Sequence, residues 1–189
     1  MKVMLDLIGQ ERLDEVTDFL VGEVRKLSRA GADIALLASN TPHIVFDRIA
    51  AVSPLPLISI VAVTCRKAVG MGLQRVGLFG TQFTMQSGIY GEAFSEHDIS
   101  VVTPPKAAQD YIHNKYMTEL VKGIIRGDTK RELLKIARDL KADHGIDGLI
   151  LGGTELPLIL KDTDDLGIPL LDTTRIHVES IVERLLGAE

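Results

Sequence analysis

The chain has 189 residues, one cysteine, no tryptophan, 46% hydrophobic and 25% charged residues, and a formal net charge of −5. That composition fits a folded globule of one domain or two small lobes and excludes disorder. A lone thiol excludes an intrachain disulfide, a cysteine zinc cluster and a pair of catalytic thiols, and the acidic balance argues against a nucleic-acid partner.

The opening Met1–Asp6 carries an acid inside its apolar stretch and lacks the long apolar region of a secretory leader. No window reaches the roughly 18 apolar residues of a spanning helix, so the sequence reads as soluble and cytoplasmic, without a membrane partner. Next comes the clearest helix, 11–30. Leu13, Val16, Leu20, Val24 and Leu27 recur at spacings of three and four and form one stripe. Gly31 stops it. Residues 33–38 form a short apolar run suited to a strand buried on both faces. Ser39-Asn40-Thr41-Pro42 is a polar turn opening a helix, with proline at a favoured first position.

Residues 56–61 are predicted as a second strand, 64–71 as a helix and 75–79 as a strand, with a turn at Gly80-Thr81. A helix over 84–94, a strand over 100–103 and helices over 109–126 and 129–144 follow. A strand at 147–151, a short helix from Thr154, a strand at 169–171 and a helix over 173–186 complete the chain. This alternation predicts an α/β fold with a mainly parallel sheet.

Two stretches share a pattern. Residues 31–43 and 145–157 each run glycine, one residue, aspartate, an apolar strand, a small polar turn, then a helix. Any two βα units share some of this pattern. The fuller match favours two related lobes whose strand ends face one another across a cleft. Ligands of parallel α/β sheets bind outside the carboxyl ends of the strands. The turns Ser39-Asn40-Thr41, Gly80-Thr81 with Thr84, and Gly152-Gly153-Thr154 are small or hydroxylic there and allow close approach. No glycine-rich dinucleotide or phosphate loop is present.

Four stretches carry a resemblance to the aspartate/glutamate racemase family, and within it to the aspartate racemase branch. They are Ser39–His43, Val76–Thr81 with Phe83-Thr84-Met85, Leu151–Glu155 and Asp172–His177. The resemblance spans the chain from about residue 11 to its end. It implies two pseudo-symmetric flavodoxin-like lobes: residues 1–62 with the C-terminal helix 173–189, and residues 63–172. It also implies amino-acid racemisation without pyridoxal phosphate or metal. One cysteine from each lobe flanks the substrate α-carbon, one removing a proton and the other returning one.

The positions of those thiols are Ser39 and Gly153 here. A serine hydroxyl is seldom ionised without an adjacent base, and glycine has no side chain. The resemblance therefore implies either a racemase (isomerase) with impaired turnover or a non-catalytic protein that binds a small acidic amino acid or dicarboxylate. It assigns substrate contacts to Asn40, Thr41, Thr81, Thr84, Lys122, Thr154, Glu155 and His177. A further alternative is altered chemistry with Glu155 or His177 as the base.

Against the family pattern the first lobe is short at its N-terminus. The chain is then a shortened product, or Met1–Leu5 replaces the lost strand from a new direction. The exposed sheet edge predicts a homodimer.

Among the remaining candidates, Cys65 is expected to be a buried packing residue. His43, His97, His113 and His144 show no metal spacing. The stretch 161–165 is expected to be a solvated loop, and Phe46, Phe79, Phe83 and Phe94 are expected to be core residues.

Overall fold

The computed structural model describes residues 2–161 and 166–187. The chain is mixed α/β with parallel sheets. The first helix, α1 (Lys2–Gly9), lies where a replacement strand was one expectation. Leu7 and Ile8 turn its apolar side into the smaller core, beside α2 (Leu13–Arg29). The α2 stripe buries Val16, Leu20 and Val24, as its spacing predicts, together with Val21 beside it, while Leu27 is exposed.

Strand β1 (Ala35–Leu36) pairs in parallel with β2 (Leu57–Ile58), Ala35 opposite Leu57. Between them a 3-10 turn (Thr41–Val45) leads into α3 (Phe46–Val52). The strand predicted over 56–61 ends early. The Ser59 hydroxyl accepts a hydrogen bond from the Ala62 N–H and starts α4 (Ile60–Gly70), drawing Ile60 and Val61 into a helix.

The larger sheet is parallel in the order β4 (Ser100–Val102), β3 (Arg75–Gly80), β5 (Gly148–Gly152), β6 (Leu170–Asp172). The central strands β3 and β5 are buried along almost their whole length, as continuous apolar runs require. Asp147 fixes their register, since its carboxylate accepts the backbone N–H groups of Gln74 at 2.7 Å and Arg75 at 3.1 Å. At the other end Gly80 lies opposite Gly152. A Cβ on Gly80 would sit 2.8 Å from the Gly152 carbonyl oxygen, so the strand ends meet as bare backbone beneath Thr84.

The helix predicted over 84–94 is two helices, α5 (Gln82–Gln86) and α6 (Ile89–Ser95). Gly88, at φ +80°, breaks the path between them. The helix predicted over 109–126 runs earlier, as α7 (Lys106–Thr118). A 3-10 turn (Leu120–Lys122) then ends at Gly123, which is left-handed. The apolar residues that prolonged the periodicity, Val121, Ile124 and Ile125, stand exposed. Helices α8 (Gly127–His144), α9 (Leu156–Leu160) and α10 (Thr173–Leu185) complete the chain. Helix α10 packs along α4, and Ile58, Ile60, Val61 and Ile176 all join the larger core. Phe79 and Phe94 are buried in that core, and Phe46 and Phe83 pack against the smaller one. Residues 162–165 of the expected loop lie outside the described residues.

Candidate ligand-binding cleft

The two repeated turns meet. Ser39, Thr41 and Pro42 follow β1, Thr81 follows β3, and Thr154 follows β5. With Tyr116 and Met117 of α7 and Met4 of α1 they line a cleft of about 40 Å³. That volume holds on the order of one water molecule, so a larger ligand enters only if a wall side chain moves.

Three threonines form the polar centre. The Thr41 and Thr81 hydroxyls lie 3.1 Å apart, Thr81 and Thr84 3.1 Å, and Thr41 and Thr84 3.3 Å. All three are buried, and in such a ring each hydroxyl donates to one neighbour and accepts from another. The Thr81 hydroxyl also accepts the Thr84 N–H and caps α5.

Asn40 faces away from this ring into a structural chain. The Tyr90 hydroxyl donates to its carbonyl oxygen, its amide donates to the Thr173 hydroxyl at 3.0 Å, and Thr173 donates to the Leu151 carbonyl at 2.8 Å. This chain ties the first turn to the end of β5 and the start of α10. Burial pushes the Tyr90 phenol well above its ordinary range, so it remains a donor.

Ser39 has no base beside it. His43, four residues on, presents Nδ1 to the Ser39 backbone carbonyl at 2.8 Å, and its Nε2 accepts the Ile60 N–H at 3.1 Å. The Ile60 N–H fixes the tautomer, with the proton on Nδ1. Burial pushes the pKa of this imidazole down to about 4, so it is neutral at pH 7.

At the second turn the place of a side chain on residue 153 is taken. A Cβ there would sit 2.5 Å from Cε2 of Tyr116 and 2.9 Å from its hydroxyl. The Tyr116 phenol donates to Glu155 Oε2, and the Thr154 hydroxyl donates to the same oxygen at 2.6 Å. Burial first, and then the Glu155 contact, hold the phenol protonated.

Three expected contacts lie elsewhere. The His177 ring donates from Nε2 to the Ile58 carbonyl at 2.9 Å and meets the His43 ring edge-on, so it orients neither Glu155 nor the cleft. The α10 helix that carries it packs on α4, which fixes that direction. Lys122 is exposed on the 3-10 turn after α7 and does not line the cleft. Asn40 is committed to the chain above. The structure therefore brings Ser39, Thr41, Thr81, Thr84, Thr154 and Glu155 to one place and leaves Lys122 and His177 out of it.

Cys65 is buried on α4 with its thiol against the Ala93 carbonyl at 3.5 Å, and burial raises its pKa. No cluster of three or more metal-ligating side chains occurs among the described residues. Among the same residues no helix is long and apolar enough to cross a membrane. Tyr116, Met4 and Met117 were not legible as cleft residues. A bare glycine at a thiol position hints that another group fills the space, but no spacing names Tyr116.

The sequence profile of the Asp/Glu/hydantoin racemase family matches residues 7–181. A glutamate racemase of Aquifex aeolicus is 25% identical over 160 residues, which are 82% of this chain and 59% of that protein. The chain thus spans about three fifths of that relative's length. Among solved structures, a Yersinia pestis protein described as a candidate Asp/Glu racemase superposes with a TM-score of 0.88 at 29% identity, covering 98% of this chain and 80% of that one. An aspartate racemase homologue from Pyrococcus horikoshii superposes with a TM-score of 0.80 at 30% identity, covering 89% and 73%.

Proposed function

The chain belongs to the Asp/Glu/hydantoin racemase family, and on that premise we propose that its cleft binds a small amino acid without racemising it by paired thiols. The observation that carries this reading is the Tyr116 ring in the space of a residue-153 side chain. Two-sided proton transfer needs one reactive group on each face of the α-carbon, close to it and in line. One face here offers Ser39, whose neighbour His43 has both ring nitrogens engaged. The other face offers a protonated phenol. The only thiol, Cys65, is buried under α6.

Retention of the hydroxyls at Thr41, Thr81, Thr84 and Thr154 supports binding over loss of the site. A second reading, altered acid–base chemistry, draws on the Tyr116–Glu155 hydrogen bond. It is weakened because Glu155 Oε2 is already engaged by two hydroxyl donors, those of Tyr116 and Thr154. We also propose that two copies associate, supported by the exposed apolar stripe Val178, Val182 and Leu185 on α10. Light scattering behind a sizing column tests that part.

The main test follows α-proton loss from L-aspartate, L-glutamate and L-alanine in deuterium oxide by NMR, with saturation-transfer spectra to detect binding. Binding without exchange above a protein-free control is expected. Exchange well above that control would sink the reading. In a Ser39→Cys, Gly153→Cys, Tyr116→Ala variant, which restores two thiols and clears the ring, exchange should appear.

A further inference from the structure

The charge of the cleft wall sets which amino acid fits. The wall presents five hydroxyls, from Ser39, Thr41, Thr81, Tyr116 and Thr154, together with Pro42 and the thioethers of Met4 and Met117. It contains no lysine, arginine or histidine among the described residues. The one ionisable group bonded to this wall is an anion, Glu155, which holds the Tyr116 and Thr154 hydroxyls. The neighbouring imidazole of His43 is engaged at both nitrogens, and that of His113 accepts the Gln82 N–H at Nδ1. Lys122 is exposed and outside the wall.

We infer that the cleft selects a zwitterionic amino acid with an uncharged side chain over aspartate, glutamate or any dicarboxylate. The inference rests on the amino-acid-binding reading above and reverses the acidic ligand that the family resemblance implies. One carboxylate has donors here, the hydroxyl of Ser39 and, once the threonine ring opens toward the ligand, those of Thr41 and Thr81. The ammonium of a zwitterion is attracted by Glu155, which is bonded to the wall residues Tyr116 and Thr154. A second carboxylate would lose its water with no cation to replace it and with Glu155 repelling it, and an uncompensated buried charge is strongly unfavourable. An apolar side chain instead meets Met4 and Met117, flexible residues that adapt to irregular shapes. Met4 is half-buried on α1 and packs against the smaller core at the edge of this wall.

Titration calorimetry of the full chain with both enantiomers of alanine, threonine and methionine, and with aspartate, glutamate and succinate, tests this. The neutral amino acids should bind at least about tenfold more tightly than the acidic ones. Equal or tighter binding of aspartate, glutamate or succinate would overturn the inference and leave the binding reading standing. Binding of none of them would overturn both. Met117→Lys supplies the missing cation and should move the preference toward aspartate by at least about tenfold. Met4→Lys, on a different helix, carries the same test if the first variant does not fold. A folded lysine variant with an unchanged preference would also overturn the inference.

Discussion

Ser39 and Gly153 hold matching places in two repeated turns, yet the protein treats them differently. The Ser39 side chain borders the cleft, and the order of its turn comes from neighbours: the His43 ring on its backbone carbonyl and the Asn40 chain to Leu151. Gly153 contributes no side chain, and a residue 37 positions earlier on another helix fills its space. One turn presents a small side chain to the cleft, while at the other the Tyr116 ring takes the space a side chain would need. The comparison teaches that two matching positions of a repeat can differ in the room they leave for a side chain, and that a larger group at the second needs a change at Tyr116 as well.

The strongest way to break the comparison is at Tyr116. Truncation to alanine empties a buried aromatic site and should cost about 3–4 kcal/mol of stability, read by urea denaturation. Gly153→Cys should cost about 1–3 kcal/mol through overpacking. The two changes together should cost less than their sum, with a coupling of about 0.5–3 kcal/mol. Strict additivity would show that the ring and residue 153 do not compete for space.

Acid tests the first turn. His43 is held neutral in the fold, with a pKa of about 4 against an ordinary value of 6.5. The unfolded chain therefore binds this proton first as pH falls. The stabilisation is complete above about pH 6.5 and is lost progressively toward pH 4, by up to about 3 kcal/mol. His177, lowered by the same burial, adds to the loss in the same direction. Denaturation midpoints at about pH 7 and pH 4.5 check the slope, which should flatten in His43→Gln.

Asn40→Ala should cost about 1–3 kcal/mol, because Tyr90 and Thr173 each lose a buried partner. The smallest effect sharpens the contrast most. Ser39→Ala should change stability by no more than about 0.5 kcal/mol, since the Ser39 hydroxyl bridges nothing whereas an atom added at its counterpart position meets the Tyr116 ring. A loss above about 1 kcal/mol would mean that the two positions are more alike than their surroundings indicate.

Much of the architecture was legible in the sequence. The α2 stripe, the buried runs of β3 and β5 and the glycine-aspartate pattern before β5 all read correctly, because periodicity and burial leave direct marks on residue order. The extra helical turn beyond Thr118 misled because Val121, Ile124 and Ile125 keep the helical period without being buried. The strand over 56–61 misled because one serine cap outweighed the β propensity of Ile60 and Val61. The cleft lining was legible where a turn supplies its own hydroxyls, at Thr41, Thr81 and Thr154. It was illegible where the wall comes from residues distant in the chain, as with Tyr116, Met4 and Met117. The direction of His177 was equally hidden, since it depends on how α10 lies along α4.

The bare-backbone meeting of Gly80 and Gly152 bears on how such a cleft can change. These peptide groups end the paired central strands β3 and β5 of the larger sheet, directly before the cleft residues Thr81 and Thr154, and amides so placed are expected to exchange only through near-global opening. Three of the wall side chains, Met4, Tyr116 and Met117, stand on α1 and α7 and can be replaced one at a time without disturbing a strand. The shape and polarity of the cleft can therefore change through these helix-borne side chains while the strand ends stay fixed.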